Sequence, residues 1–175
     1  YQSFPAAYWR NRQPGPSALL VSLGIKGSLP NLLHHNLYFV DEWRENFRAI
    51  YEDNVVPPHA SLYVCNPTKT DPSYAPAGQE NLFILMPLPA GVDLDEAACE
   101  QLADTAIADF ARAAGIDDVA ERIVTRYVFG PRDFGSQFNA WQYNAFGGES
   151  HLLRQSVIFR TPNKSHKVKN LYYVG

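Results

Sequence analysis

Cysteine is scarce in this chain: Cys65 and Cys99 are the only two in 175 residues, far apart and outside any C-x-x-C spacing. One falls in a strand-like run and the other on a helix, so two free, buried thiols are expected rather than a disulfide framework. Long apolar runs are missing too. No stretch approaches the roughly 18 consecutive apolar residues of a membrane span. Nothing at the start resembles a secretory signal, so a cytoplasmic chain is expected. The match of Asn163-Lys164-Ser165 to a glycosylation site then reads as chance. Positive charge is not in excess, since 15 Lys and Arg stand against 18 Asp and Glu for a net charge of -3. That balance excludes an electrostatic nucleic-acid binder. The one basic cluster, Lys164, His166, Lys167 and Lys169, is too short to alter this and reads as a solvated loop.

Glycine motifs are the most informative absence. No G-x-G-x-x-G follows a strand, and there is no P-loop. Gly24 and Gly27 are wrongly spaced, and Gly147-Gly148 follows no strand. The residues therefore offer no phosphate cradle. Ser150-His151 lacks a G-x-S-x-G elbow, which leaves a hydrolase without support.

What is present suits one folded domain. The hydrophobic share of 46% against 19% charged residues excludes wholesale disorder. Aromatics reach 13%, many in polar neighbourhoods. Residues 138–146 read Phe-Asn-Ala-Trp-Gln-Tyr-Asn-Ala-Phe. Aromatics beside amides suit an apolar wall with fixed orientation, and equally an aromatic-rich core or interface.

Residues 1–16, with Pro5, Pro14 and Pro16, read as a connector. Strands are predicted at 17–25, 34–40, 60–65, 81–86, 122–129 and 156–159, with a last apolar run at 171–174. The run at 81–86 is apolar throughout and reads as a central strand. Within 122–129, Ile123, Thr125, Tyr127 and Phe129 should share a face. Asp41 is placed as cap of a helix presenting Trp43, Phe47, Ile50 and Tyr51 on one face, which Pro57 and Pro58 stop. The clearest helix is capped by Asp93 with Glu96 as box partner. It buries Leu94, Ala98, Leu102, Ala106, Phe110 and Ala113, and ends at Gly115. A short helix is predicted over 131–139, with Asp133 at its positive end. Asp71 should cap its own turn. Strands in groups with few helices between them predict an α+β fold: a mixed, largely antiparallel sheet with helices on one side.

His34 and His35 invite a metal reading, but neighbouring residues on a strand point to opposite faces, so no metal site is expected. His59, His151 and His166 show no ligand spacing. No catalytic residue is assigned.

Several segments together resemble the bacterial-type phytoene dehydrogenases. They are His34-His35-Asn36-Leu37-Tyr38-Phe39, Ala60-Ser61-Leu62-Tyr63-Val64, residues 66–78 (Asn-Pro-Thr-Lys-Thr-Asp-Pro-Ser-Tyr-Ala-Pro-Ala-Gly) and Leu85-Met86-Pro87-Leu88-Pro89. Pro131-Arg132-Asp133-Phe134, Asn139-Ala140-Trp141-Gln142, Phe159-Arg160-Thr161-Pro162-Asn163 and Asn170-Leu171-Tyr172-Tyr173-Val174-Gly175 follow in the same order, so the likeness runs through nearly the whole chain. The resemblance implies a fragment of an FAD-dependent desaturase of a long polyene such as phytoene, in which a hydride passes to the flavin and a neighbouring proton is lost. Residues 17–169 would be its substrate-binding domain. Residues 170–175 would lead back into an FAD-binding domain, with Val174 and Gly175 touching FAD. No FAD is expected on this segment alone. Tyr127, Phe129, Phe138, Trp141, Tyr143 and Phe146 are the expected polyene lining, with ordinary core packing as the alternative for each. The partners implied are the polyene, the FAD-binding domain and the membrane surface, touched peripherally. Alternatives are a carotenoid isomerase, saturase or oxidase of the same superfamily, or a stand-alone module for an apolar ligand.

Overall fold

Two ten-residue strands carry the architecture: β1 (Ser17–Lys26) and β4 (Gln79–Leu88) pair antiparallel along their whole length, from Ser17 opposite Leu88 to Lys26 opposite Gln79. β2 (His35–Tyr38) and β3 (Leu62–Cys65) extend the sheet on one side and β5 (Ile123–Phe129) on the other, in the order β2-β3-β4-β1-β5. Every pairing between these strands is antiparallel. The computed structural model describes residues 4–147, 152–155, 159–160 and 162–173. The expected α+β class, with a largely antiparallel sheet, is what these residues form. The strand expected at 156–159 lies largely outside the described residues, as do Val174 and Gly175. Among the described residues, no helix is long and apolar enough to cross a membrane.

One face of the sheet is the core. Leu19, Val21, Leu23 and Ile25 of β1 meet Leu82, Ile84, Met86 and Leu88 of β4, each at most 2% exposed. The cover is α3 (Glu96–Ala114), which buries Cys99, Ala103, Ala106, Ile107 and Phe110 against them. Each of the Leu, Ile, Val, Met and Phe side chains among them contributes roughly 1.5–3 kcal/mol through burial. The α3 cap is Asp95, whose carboxylate accepts from the Ala98 N–H at 2.8 Å, and not Asp93, which pairs instead with Arg132. The buried stripe differs from the expected one in phase. Steps of four residues drift about 40° each around a helix of 3.6 residues per turn, whereas the 4-3-4 spacing of Cys99, Ala103, Ala106 and Phe110 stays on the sheet. Gly115 closes the helix in the left-handed region, as expected.

Two further expectations shift. The helix after β2, α2 (Trp43–Arg48), starts without a side-chain cap from Asp41, and a π-helical turn at Ala49–Asp53 continues it. Its Trp43 and Phe47 are about half exposed while Asn46 and Ile50 are buried, because Asn46 turns inward to accept from the Ser61 N–H. In β5, Ile123 leaves the face of its neighbours. A register shift between Gly24 and Ile25 sets Ile123 opposite the core residue Ile25. Asp71 caps its own turn as expected, accepting from the Ser73 N–H at 2.9 Å.

The far end of β4 carries a charge on its buried face. The Glu80 carboxylate accepts from the Asn66 amide at 2.6 Å, the Lys69 ammonium at 2.8 Å and the Ser28 hydroxyl at 2.9 Å. Burial alone would raise the Glu80 carboxyl. The hydrogen bonds from Lys69, Asn66, Ser28 and the Leu29 N–H together outweigh it and hold the group below the usual carboxylate range. A depressed pKa stabilises the fold fully above the unfolded value and loses that contribution as pH falls through the folded one. Glu80→Ala is therefore expected to cost about 3–5 kcal/mol at neutral pH by stranding Lys69 and Asn66. In urea unfolding the gap to the unsubstituted protein should shrink below about pH 4. A gap equal at both pH values would remove the ionised carboxylate from the account.

Candidate functional site

α3 covers one face of the sheet, and the strands are nonetheless apolar on both. On the second face the register aligns two rows that cross all five strands. One row runs His35, Cys65, Phe83, Ser22, Tyr127, and the next runs Leu37, Tyr63, Leu85, Leu20, Phe129. With strands about 4.8 Å apart, each row spans roughly 19 Å. None of these ten residues is fully buried, and Leu37 (64% exposed) and Tyr127 (57%) stand open at the two edges. An apolar strip of this kind on a folded chain is a candidate binding surface.

At the β5 edge the strip rises into an aromatic wall. α4 (Pro131–Phe138) follows directly and aims Phe134 and Phe138 at the Phe129 ring, with centroids 4.9 and 6.0 Å away. Tyr127 continues the wall at 6.5 Å from Phe129. The start of α4 is fixed by Asp133, whose carboxylate accepts from the Gly130 N–H at 2.8 Å. A side chain at position 130 would drive its Cβ to 2.5 Å from the Cys99 sulfur, so glycine is what lets α4 spring from the end of β5 against α3.

Of the six expected lining residues, the structure brings Tyr127, Phe129 and Phe138 together. Trp141 and Tyr143 are engaged elsewhere: Trp141 packs on Trp9 with centroids 5.1 Å apart, and the Tyr143 ring lies against Gly135. Gln142 and Tyr143 both hold positive φ, which costs energy in residues with a side chain. The Gly91 N–H donates to Gln142 O at 2.7 Å and the Ser17 hydroxyl to Tyr143 O at 2.6 Å, and these bonds hold the conformation. Phe146 is half exposed. Their polar neighbours thus serve to fasten a loop. Sequence reasoning missed Phe83, Leu85, Leu20, Tyr63 and Leu37. The available signal was the apolar run at 82–88 within β4, since a strand apolar on both faces needs two covers.

The opposite edge is polar. His35 donates or accepts at Nδ1 with the Tyr63 hydroxyl at 2.7 Å, and His34 Nδ1 meets the Thr70 hydroxyl at 2.5 Å. The two imidazoles sit with centroids 4.3 Å apart, and Cys65 is opposite His35 in the register. The expectation that the histidines face apart is overturned because β2 begins at His35. His34 precedes the strand, so strict alternation does not apply to it. Cys65 and Cys99 are both free thiols, but only Cys99 is buried; Cys65 keeps part of its surface. A hydrogen bond with Cys65, and after it partial burial, push the Tyr63 phenol up.

Dinucleotide binding needs a helix N-terminus that accepts phosphate. Among the described residues the N-termini of α3 and α4 are taken by the carboxylates of Asp95 and Asp133. Neither of these two helices offers a flavin pyrophosphate a free N-terminus.

No family model matches the chain. It is 35% identical over 168 residues to a carotenoid 3,4-desaturase of Haloarcula japonica, covering 96% of the chain and 34% of that protein. It is 34% identical over 166 residues to a 4,4'-diapophytoene desaturase (4,4'-diaponeurosporene-forming) of Staphylococcus aureus, covering 91% of the chain and 33% of that protein. A 4,4'-diapolycopene oxygenase of a Methylomonas species is 30% identical over 167 residues, covering 93% and 33%. The chain spans about a third of the length of these curated relatives.

The two faces should differ sharply under substitution. Ile84→Ala on the core face is expected to cost about 2–5 kcal/mol. Tyr127→Thr on the open face should stay within about 0.5 kcal/mol. Chemical denaturation measures both, and a large loss for Tyr127→Thr would mean that the open face is part of the core.

Proposed function

We infer, from a chain homologous over nearly its full length to one third of the carotenoid desaturases, that it forms the substrate side of such an enzyme, with a long polyene lying on the open sheet face. The two aligned apolar rows carry this reading. A polyene has no polar handle, so its affinity comes from apolar burial at roughly 25 cal/mol per Å2. A strip roughly 19 Å wide, closed at one edge by an aromatic wall, offers that burial along a slender ligand. The rings of Tyr127, Phe129 and Phe138 can attract an allylic cation developing beside them.

The flavin expected from the resemblance would be held by protein outside these residues, and its chemistry when bound is hydride acceptance from the polyene. The chain's own part is to seat the polyene, exclude water and fix which carbons are presented. Peripheral membrane contact belongs to the same reading. Leu33, Phe39, Trp43 and Phe47 stand exposed next to the Leu37 end of the strip, where a bilayer-borne ligand could enter.

The test uses the complete flavoprotein containing this chain, assayed on an acyclic C30 or C40 polyene. Tyr127→Asp and Phe129→Asp should each lower kcat/KM roughly tenfold or more, because a carboxylate would be set against an apolar ligand. Unchanged turnover in both would place the polyene elsewhere. The match to an oxygenase supports a second reading, and the product separates the two: a lengthened polyene for a desaturase, added oxygen for an oxidase. The isolated chain should purify without flavin absorbance, and recovery of bound FAD would defeat the division of labour proposed here.

A further inference from the structure

We propose that His34, His35 and Cys65 form a binding site for a borderline-soft divalent cation of the zinc class, at the polar end of the strip. One ligand atom from each of the three residues lies within 4.8 Å of the other two. Zinc bonds of about 2.0–2.3 Å to nitrogen and sulfur set ligand separations of roughly 3.3–3.8 Å, so closing by about 1 Å through side-chain rotation completes the triangle. The donor set is chemically selective: two imidazoles and a thiol favour zinc and its soft neighbours over magnesium or calcium, which want oxygen. Three protein ligands leave a fourth position for water.

The surroundings fit a metal centre as well as the ligands do. A ligating histidine ordinarily has its other ring nitrogen held by a polar partner, which fixes the ring. Nδ1 of each ring meets a hydroxyl here, Thr70 for His34 and Tyr63 for His35, so a site that takes the two Nε2 atoms has both rings held. The ligands also come from two separate elements. His34 precedes β2 and His35 opens it, Cys65 closes β3, and Thr70 brings in the loop behind it. An ion here would clip the short outer strands and that loop together. On binding, the Cys65 thiol gives up its proton to solvent and the thiolate sulfur bonds the cation, so affinity should rise with pH. The site does not depend on the nature of the ligand on the sheet face.

The test is cobalt titration of the tag-free chain in a non-thiol reductant. One equivalent of Co2+ should give a thiolate-to-cobalt charge-transfer band with four-coordinate d–d bands, and Zn2+ should bleach both. Cys65→Ser should abolish the charge-transfer band. Thr70→Val, which frees the His34 ring, should weaken Co2+ binding about ten- to a hundredfold. Absence of the thiolate band at one equivalent, or its survival in Cys65→Ser, would overturn the proposal. If Cys65→Ser does not fold, zinc-edge X-ray absorption of the unsubstituted chain decides. One sulfur and two imidazole nitrogens support the site, and a shell without sulfur refutes it.

Discussion

Everything in this chain depends on one constraint: β1 and β4 pair over ten residues, and over the stretch where residues 19–23 meet residues 82–86 they are largely apolar on both sides. Such a pair cannot rest with one cover. α3 answers for the first face, where eight β1 and β4 side chains are sealed almost completely. Among the described residues, α4 lines one margin of the second face, and Phe83, Leu85, Leu20 and Tyr63 are partly covered along the middle. Stability and recognition therefore share the same strands. They are separated by the side-chain alternation alone.

The separation is sharp because the joints between the two sides carry no spare atoms. Gly130 touches Cys99 of the core helix, and its carbonyl and N–H are both bound by Asp133. The aromatic wall of Phe129, Phe134 and Phe138 is thereby referenced to α3 without sharing its core. Arg126, one residue from Tyr127, points the other way and pairs with Glu100 and Asp104 of α3. Consecutive residues of β5 thus anchor the helix and line the strip in turn. The short β2–β3 edge is held by side chains instead: the Glu80 carboxylate binds the loop after β3, and the His34–Thr70 contact binds the approach to β2.

Much of this was legible in the residues, and the misses have physical causes. All five strands and α3 were found from their apolar patterning, since burial imposes a pattern and dominates their energetics, and α4 from the start signal of Pro131 and Asp133. The α3 cap was misplaced by two positions because Asp93 and Asp95 are both competent; the choice is made by Arg132, which comes from a distant part of the chain and takes Asp93. Half of the expected lining fell on the loop after α4, where the Trp141 ring packs on Trp9 and the Tyr143 ring lies against Gly135. The motif of amides between aromatics signalled fixed orientation correctly, and what it fixes is a turn. The histidine pair was expected to face apart by applying strand alternation across a strand boundary, and a one-residue error in the boundary is enough to set the two rings side by side.

Register is where the remaining specificity resides. A slip of one residue between β1 and β4 would exchange the two faces entirely, so the ten-residue pairing, unbroken from Ser17 to Lys26, protects the strip as well as the core. β5 obeys a looser rule. Its irregularity opposite Gly24 and Ile25 lets Ile123 join the core while Thr125, Tyr127 and Phe129 remain on the open face. Gly24 is required there for space: a Cβ at that position would meet the Thr125 methyl at 2.7 Å. Without the shift, continued pairing would set Val124 opposite Ile25 and turn Ile123 onto the strip with Thr125. The bulge allows one edge strand to finish the core at its beginning and build the aromatic wall at its end. The same seven residues therefore decide how the protein folds and what its open face can hold.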